Sequence, residues 1–228
     1  MLRERHFIRR GQITNFKPAV RLAERLGTPL NQLVTINFAH TDLSSKQVAA
    51  SFAKLRTNHF NPWWRRPRAG SSKPVKQSAF VWVQEAAGGV TTVHWLLHLP
   101  AARLADFKAR LPRWLGRVAG EIDEGAIDVR TAYRPLGAVA YMSKGIDPGI
   151  ANFYGITAID QGVTYGKRAG FSVSLGPSRC RAARTYWTQM EQDRRAANDS
   201  SQVRHADQPA GNLDDVDERN AATRVPYE

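Results

Sequence analysis

The period of hydrophobic and polar positions changes several times along the chain, and each change marks a predicted element. Residues 32–38 (QLVTINF) are rich in β-branched side chains, which predicts a strand. Val48, Phe52 and Leu55 then recur at helical spacing. This spacing predicts a helix over residues 45–59, directly after the first strand.

A β-hairpin is predicted next. Residues 78–85 (SAFVWVQE) and 90–99 are both apolar and rich in strand-forming side chains, and the turn 86–89 (AAGG) separates them. Pro100 ends the second segment. The two segments are therefore expected to pair as antiparallel neighbours.

A long helix, a fourth strand and a short helix follow the hairpin. Apolar residues on one face of residues 101–118 predict the long helix, within which Pro112 predicts a kink or a break. Residues 126–132 (AIDVRTA) predict the strand, and residues 136–144 predict the short helix, which ends at Gly145.

This order, β-α-β-β-α-β, is the split βαβ pattern of ferredoxin-like folds. It predicts an α+β fold whose antiparallel sheet has both helices on one face, with a tyrosine-bearing helix after the last strand. The opposite face of the sheet is expected to stay free for a ligand. Residues 1–30 are predicted to form a basic N-terminal arm with a helix near residues 17–26, residues 31–190 one domain, and residues 191–228 a disordered polar tail.

The net charge of the chain indicates what kind of partner it binds. The chain carries +13, yet residues 191–228 hold nine acidic residues and five arginines. The remaining residues therefore carry 28 basic side chains against 11 acidic ones, which suits a polyanion such as nucleic acid. A ribosome-associated or merely solubilising basic surface is the alternative.

Several classes of protein are excluded by composition. No stretch approaches the roughly 20 apolar residues that span a bilayer, so no membrane partner is expected. Cys180 is the only cysteine, which excludes a disulfide framework and a cysteine-rich zinc site. Together with an N-terminus that lacks a secretory apolar run, these features predict a cytoplasmic protein.

The hairpin carries candidate metal ligands. Thr92, His94 and His98 share one face of the predicted strand, and Glu85 lies on the neighbouring strand. An imidazole and a carboxylate form a minimal site for a divalent ion, whereas His94 and His98, about 13 Å apart along the strand, cannot share one. The alternative is a half-buried core histidine beside a solvated Glu85.

The short helix carries a candidate nucleophile. Tyr141 and Lys144 are three residues apart and therefore share a helix face. A tyrosine can attack phosphorus, and a nearby ammonium stabilises the charge that develops. The alternative is a tyrosine packed into the core beside a solvated lysine.

Basic and aromatic residues cluster at two further places. The loop after the first predicted helix combines side chains that can stack on bases with others that bind phosphates, namely Trp63, Trp64, Arg65, Arg66 and Arg68. The alternative is that the tryptophans anchor this loop on the core.

The second cluster lies in residues 162–168 (GVTYGKR), which fail the pattern of a phosphate-binding loop. Gln161 stands where the first glycine is required, and Arg168 stands where a hydroxyl residue is required. Nucleotide hydrolysis and a nucleotide cofactor are thus excluded. Lys167 and Arg168 remain candidates for contacts with a nucleic-acid backbone.

Together, these segments resemble the HUH endonucleases, a superfamily that includes the rolling-circle replication initiators of plasmids and phages. The resemblance covers roughly residues 33–145. Tyr141 and Lys144 match the tyrosine motif of that family, and residues 93–100 (VHWLLHLP) look like its metal strand. Thr92 stands where the family has the first histidine of a His-apolar-His motif.

The resemblance implies sequence-specific nicking and joining of single-stranded DNA or a DNA hairpin in rolling-circle replication. It implies Mg²⁺ or Mn²⁺ held at His94, Glu85 and Thr92, with Tyr141 as the nucleophile and Lys144 as the charge-stabilising group. Threonine is a poorer ligand than histidine for a divalent ion. A non-catalytic nucleic-acid-binding protein on the same fold, a degenerate initiator or a regulator, is therefore the alternative.

Overall fold

The structure, a computed structural model, describes residues 3–67 and 77–206, with side chains up to residue 193. The chain divides into two compact units, Met1–Arg184 and Thr185–Glu228. The strands are β1 (Glu4–Arg5), β2 (Gln32–Asn37), β3 (Phe80–Glu85), β4 (Thr92–Leu97), β5 (Ile127–Thr131), β6 (Thr164–Tyr165) and β7 (Ala169–Phe171). The α-helices are α1 (Arg10–Arg25), α2 (Ser45–Lys54), α3 (Asn61–Arg65), α4 (Ala101–Ala119), α5 (Pro135–Met142), α6 (Pro148–Ala151) and α7 (Pro177–Ala206).

The first unit is built on an antiparallel five-stranded sheet in the order β5-β2-β4-β3-β7, and a separate ladder pairs β1 with β6. The register places His94 opposite Thr35 on one side and Val83 on the other, while Thr92 lies opposite Glu85. The predicted α+β class and antiparallel sheet are confirmed, and the predicted hairpin is the pair β3 and β4.

One face of the sheet holds the main hydrophobic core. Trp82, Trp95 and Val93 point to this face and join an apolar cluster contributed by α2, α3 and α4. Trp95 is fully buried and makes edge-to-face contacts with Phe52 on α2 and with other rings of the cluster. Val48, Phe52 and Leu55, whose spacing predicted the first helix, all lie in this core.

The opposite face of the sheet is not free. Val81, Val83 and Leu96 point to this face by strand alternation and are fully buried. Helix α5 contacts β4, while α1 contacts α5 and β7. The expectation of an open face is corrected: helices α1 and α5, which lie outside the predicted βαβ unit, bury it.

Residues 3–30 belong to the first unit instead of forming a separate arm. Helix α1 starts at Arg10, well before the predicted residue 17, and buries Ile13, Phe16 and Val20. Ile8 is also buried and bridges to Ile146, just after the tyrosine helix. The apolar stripe of α1 has helical spacing and needs a partner surface, which is why the segment docks on the domain.

Four further elements differ from the sequence prediction. A π-helix, Leu55–Phe60, continues α2, and α3 forms within the predicted loop. Helix α4 runs through Pro112 without interruption. In the second unit, α7 continues to Ala206, into the segment predicted to be disordered, and residues 207–228 lie outside the described chain. Within the described ranges, no helix is long and apolar enough to cross a membrane.

Candidate active site around Tyr141

Two neighbouring strands bring Glu85 and His94 together on the face covered by α5. Glu85 is the last residue of β3 and lies opposite Thr92 on β4. His94 is two residues after Thr92 on the same strand. The distance from Glu85 Oε2 to His94 Nε2 is 3.4 Å, and both side chains are largely buried, 6% and 12% exposed. The approach that the hairpin pattern predicted is present in the structure.

Thr35 on β2 orients the imidazole from the other side. Its hydroxyl lies 3.1 Å from His94 Nδ1, across the strand pair in which the two residues are directly opposite. Nδ1 is thereby engaged, and Nε2 faces the carboxylate. Sequence analysis missed Thr35, because its role depends on the pairing of β2 with β4, for which the local pattern holds no signal.

Lys144 is the second partner of Glu85. The chain turns into a 3₁₀ helix, Ser143–Gly145, at the end of α5, and this turn brings Lys144 Nζ to 3.2 Å from Glu85 Oε2. Only 15% of the lysine side chain is exposed. The carboxylate thus contacts both the imidazole and the ammonium through one oxygen.

Glu85 and Lys144 each stabilise the charged form of the other. Burial raises the pKa of the Glu85 carboxyl, but hydrogen bonding to His94 and the nearby positive charges outweigh burial, so its pKa lies below the usual range. Burial lowers the pKa of Lys144, but hydrogen bonding to Tyr141 and the Glu85 charge raise it above its ordinary value. Both groups are therefore ionised at neutral pH.

Tyr141 lies at the solvent side of this cluster. Helix α5 buries Val139 and Met142, which leaves Tyr141 on the outer part of the helix, 57% exposed. Its ring centroid is 6.0 Å from that of His94 in an edge-on arrangement, and Lys144 Nζ lies 3.9 Å from the same ring centroid. The shared helix face predicted for Tyr141 and Lys144 therefore faces the predicted His94 and Glu85 pair.

This arrangement can support attack by the phenol oxygen. The ring is accessible to a large substrate, while the ammonium beside it stabilises a phenolate or an anionic transition state. A carboxylate in turn fixes the position of the ammonium. A nucleophile, a cation and an orienting acid thus occur in one place.

A divalent ion does not fit the donor set as it stands. Among the side chains described, no three His, Cys, Asp or Glu residues lie close enough to hold a metal ion. His94 and Glu85 supply two donors, whereas Mg²⁺ needs about six ligands, most of them oxygens. The Lys144 ammonium also takes the place beside Glu85 Oε2 where a cation would sit, although the buried Oε1 has no hydrogen-bond partner.

The two tryptophans predicted to stack on bases are buried. Trp63 and Trp64 belong to α3 and pack in the main core, where Trp63 Nε1 donates to Asp106 Oδ2 at 2.7 Å. The Arg103 guanidinium lies over the Trp63 ring, 4.7 Å from its centroid. The stacking prediction is corrected in favour of the anchoring alternative, because Phe60 and the neighbouring rings cover both indoles.

The basic residues that were predicted to contact phosphates differ in their exposure to solvent. Arg65 and Arg66 are exposed at the end of α3, on the side of the sheet opposite Tyr141, and Arg68 lies outside the described residues. Lys167 is exposed, but Arg168 is only 2% exposed. The guanidinium of Arg168 donates to the carbonyls of Arg5, His6, Gln161 and Gly162, so it anchors the chain internally.

Comparisons with known proteins leave this geometry as the main guide to function. No family model, curated protein or solved structure matches the chain. Assignment to the HUH superfamily accordingly remains a proposal.

Proposed function

We propose that the protein binds single-stranded DNA in the cytoplasm and nicks and rejoins it, with Tyr141 as the nucleophile. One observation carries this proposal: an exposed tyrosine has an ammonium 3.9 Å from its ring centroid, and a buried carboxylate holds that ammonium. A lysine with only a structural role would not need an accessible phenol beside it. The excess of basic residues outside the C-terminal segment supports a polyanionic substrate.

The proposed step is a transesterification. Tyr141 Oη attacks phosphorus and forms an Oη–P bond as the P–O3′ bond breaks, which leaves a 5′-phosphotyrosine and a 3′-hydroxyl. The phenol proton passes to solvent water, to which the exposed ring has access, and a water proton neutralises the leaving 3′-oxygen. Joining is the reverse attack by a 3′-hydroxyl, so bond energy is conserved and no nucleotide cofactor is needed.

Lys144 is assigned the stabilisation of negative charge on the phenolate and on the pentavalent phosphorus. Its ammonium is held in place before the substrate arrives, because Glu85 fixes it from behind. Removing a pre-organised charge-stabilising group of this kind lowers the rate by about 10²–10³-fold. Lys144→Met is expected to slow adduct formation by this factor while leaving DNA affinity largely intact.

Strand order supports a ferredoxin-like topology within this proposal. Strands β2, β3, β4 and β5 occur in the order β5-β2-β4-β3, and every neighbouring pair is antiparallel. This is the order that a split βαβ arrangement generates. The added strand β7 and the helices on the second face extend that unit.

Covalent capture tests the proposal. The protein is incubated with a pool of random single-stranded oligonucleotides, with Mn²⁺, with Mg²⁺ or with a chelator, and adducts are resolved on denaturing gels. Tyr141→Phe is expected to abolish the adduct and leave binding unchanged. Tyr133→Phe is the matched control, since Tyr133 is an almost fully exposed tyrosine before α5. An adduct that persists in Tyr141→Phe would remove Tyr141 from the role of nucleophile.

A second candidate function is binding without cleavage. It is favoured by the pairing of Lys144 with Glu85, which occupies the carboxylate that a metal would need, and by Thr92 at the position of a histidine. In that case no adduct forms with any metal. The protein then retains single-stranded DNA affinity, and Tyr141→Phe changes no measured property.

A further inference from the structure

A basic cleft brings the predicted phosphate contacts Lys167 and Arg168 together with basic residues of the N-terminal segment. It encloses about 260 Å³ between the N-terminal segment and the turn that joins β6 to β7. Its lining includes four cationic side chains accessible to solvent and one exposed aromatic ring, namely Arg3, Arg5, Arg9, Lys167 and Phe7. No carboxylate lines it in the part of the chain that the structure describes.

Strand pairing gathers these cations. β1 pairs with β6 in antiparallel register, and Gly166 N donates to the Arg3 carbonyl at 2.8 Å. Arg3, Arg5 and Phe7 line the cleft, whereas Glu4 does not. Among the charged residues of this N-terminal segment, only basic ones therefore line the cleft.

Arg168 forms the buried part of the lining. It is 2% exposed, and its donors hold the Arg5 and His6 carbonyls at 2.8 and 2.6 Å, which fixes the arm in place. Its Nε is buried with no hydrogen-bond partner in the structure. A buried donor without a hydrogen-bond partner is unusual in a folded protein, and an ordered water or an anion would satisfy it.

The charges in the cleft repel one another. The pKa of Arg5 is lowered, by desolvation first and then by the neighbouring charges of Arg3 and Arg9. The pKa of Lys167 is also lowered, by burial first and then by the charge of Arg56, which lies outside the lining of the cleft. Like charges held together by the fold are relieved by a bound anion, as at other phosphate sites.

The cleft is connected to the turn that carries Lys144. Ile8 N donates to the Gly145 carbonyl at 2.9 Å, and Gly145 directly follows Lys144. A Cβ atom on Gly145 would lie 3.3 Å from Arg168 Nη2, so glycine permits this close approach. The chain that lines the cleft is therefore in direct contact with the turn that positions Lys144.

We propose that this cleft binds the phosphodiester backbone of a single DNA strand next to the nucleotide at Tyr141, with Phe7 as a stacking surface for a base. Phe7 is 41% exposed, which leaves a ring face open, and stacking on an aromatic ring beside phosphate-binding cations is a common mode of single-strand binding. The proposal deepens the nicking function, and its binding component stands even if no cleavage occurs.

Salt dependence of binding tests the cleft. Affinity for a fluorescent oligonucleotide is measured by anisotropy at several salt concentrations, in a Tyr141→Phe background with a chelator, so that cleavage plays no part. The test variant carries Arg3→Ala, Arg5→Ala and Lys167→Ala. The slope of log affinity against log salt is expected to fall by about two units, because each of the three phosphate contacts contributes about 0.7 units for single strands.

A matched control separates local contacts from net charge. Lys108→Ala, Arg113→Ala and Arg117→Ala remove the same charge from exposed positions of α4, on the other side of the sheet. The control triple is expected to keep the parent slope to within about half a unit. Equal slopes in the two triple variants would overturn the cleft proposal.

Two further measurements keep the outcome unambiguous. Lys167→Ala alone is expected to lower the slope by about 0.7 units, which covers the case of a triple variant that folds poorly. Inorganic phosphate, at ionic strength matched with chloride, is expected to raise the melting temperature of the parent and not of the test triple. Loss of adduct formation with an intact slope difference would refute nicking alone, whereas adducts with equal slopes would refute the cleft alone.

Discussion

Lys144 is expected to be needed for stability as well as for chemistry, and Lys144→Met makes this testable. The substitution removes the ammonium 3.2 Å from Glu85 and keeps most of the apolar stem. Glu85 remains 6% exposed with a hydrogen bond to His94 only. A buried charge that has lost one partner is costly, since water cannot reach it.

The magnitude follows from burial. Loss of one partner from a fully buried pair costs about 3–5 kcal/mol, and a buried acceptor left unsatisfied costs about 1–3 kcal/mol. Lys144 is 15% exposed and His94 keeps one bond to Glu85, so the lower range applies. Lys144→Met is therefore expected to lower the free energy of unfolding by about 1–3 kcal/mol at pH 7.

The pH dependence has a defined sign. The pKa of Glu85 is lowered in the folded protein, so its ionisation stabilises the fold above the unfolded value of about 4.3 and this stability is lost as pH falls below it. The pKa of Lys144 is raised, so its contribution is present below about 10.4 and is lost as pH rises through the folded pKa. The deficit of Lys144→Met should thus shrink toward acidic pH, where Glu85 becomes neutral.

Urea unfolding from about pH 3 to pH 8 measures these differences, since the folded parent keeps Glu85 ionised until the pH falls below about 4.3, and an unchanged slope m confirms that the same surface unfolds. Glu85→Gln combined with Lys144→Met should recover most of the loss, because no buried charge remains. The control is Arg130→Met, which breaks an exposed ion pair with Asp128 and should change stability by at most about 1 kcal/mol. A Lys144→Met variant no less stable than Arg130→Met would refute the reasoning.

Two further predictions concern the metal and the tryptophans. Thr92→His places a second imidazole two residues from His94 on the same strand face, so Mn²⁺ should raise its melting temperature but not that of the parent. Equal shifts in both proteins would show that Thr92 does not limit metal binding. Trp63→Ala should lower the free energy of unfolding by about 3–5 kcal/mol and leave the DNA affinity of the folded protein unchanged. A loss of affinity with intact stability would return this ring to a stacking role.

The local sequence pattern was enough to predict those structural features that depend only on residues close together in the chain. Two apolar, strand-forming segments on either side of the turn 86–89 predicted the hairpin, and the hairpin implied that Glu85 could approach His94. Spacing of three predicted that Tyr141 and Lys144 share a face. These features follow from the periods of 2.0 and 3.6 residues, which are properties of a single element or a single turn.

Tertiary packing decided what lies against each face. A segment with two tryptophans and several arginines has the same local pattern whether it binds DNA or closes a core, and only the docking of α3 on Phe107 and its neighbours buries Trp63. The partner of Glu85 was decided likewise, because α5 must contact β4 before Lys144 can reach the carboxylate. Arg168 illustrates the same physical reason. Its guanidinium donates to the carbonyls of Arg5 and His6, more than 160 residues away, and contacts at that separation leave no periodic pattern in the sequence.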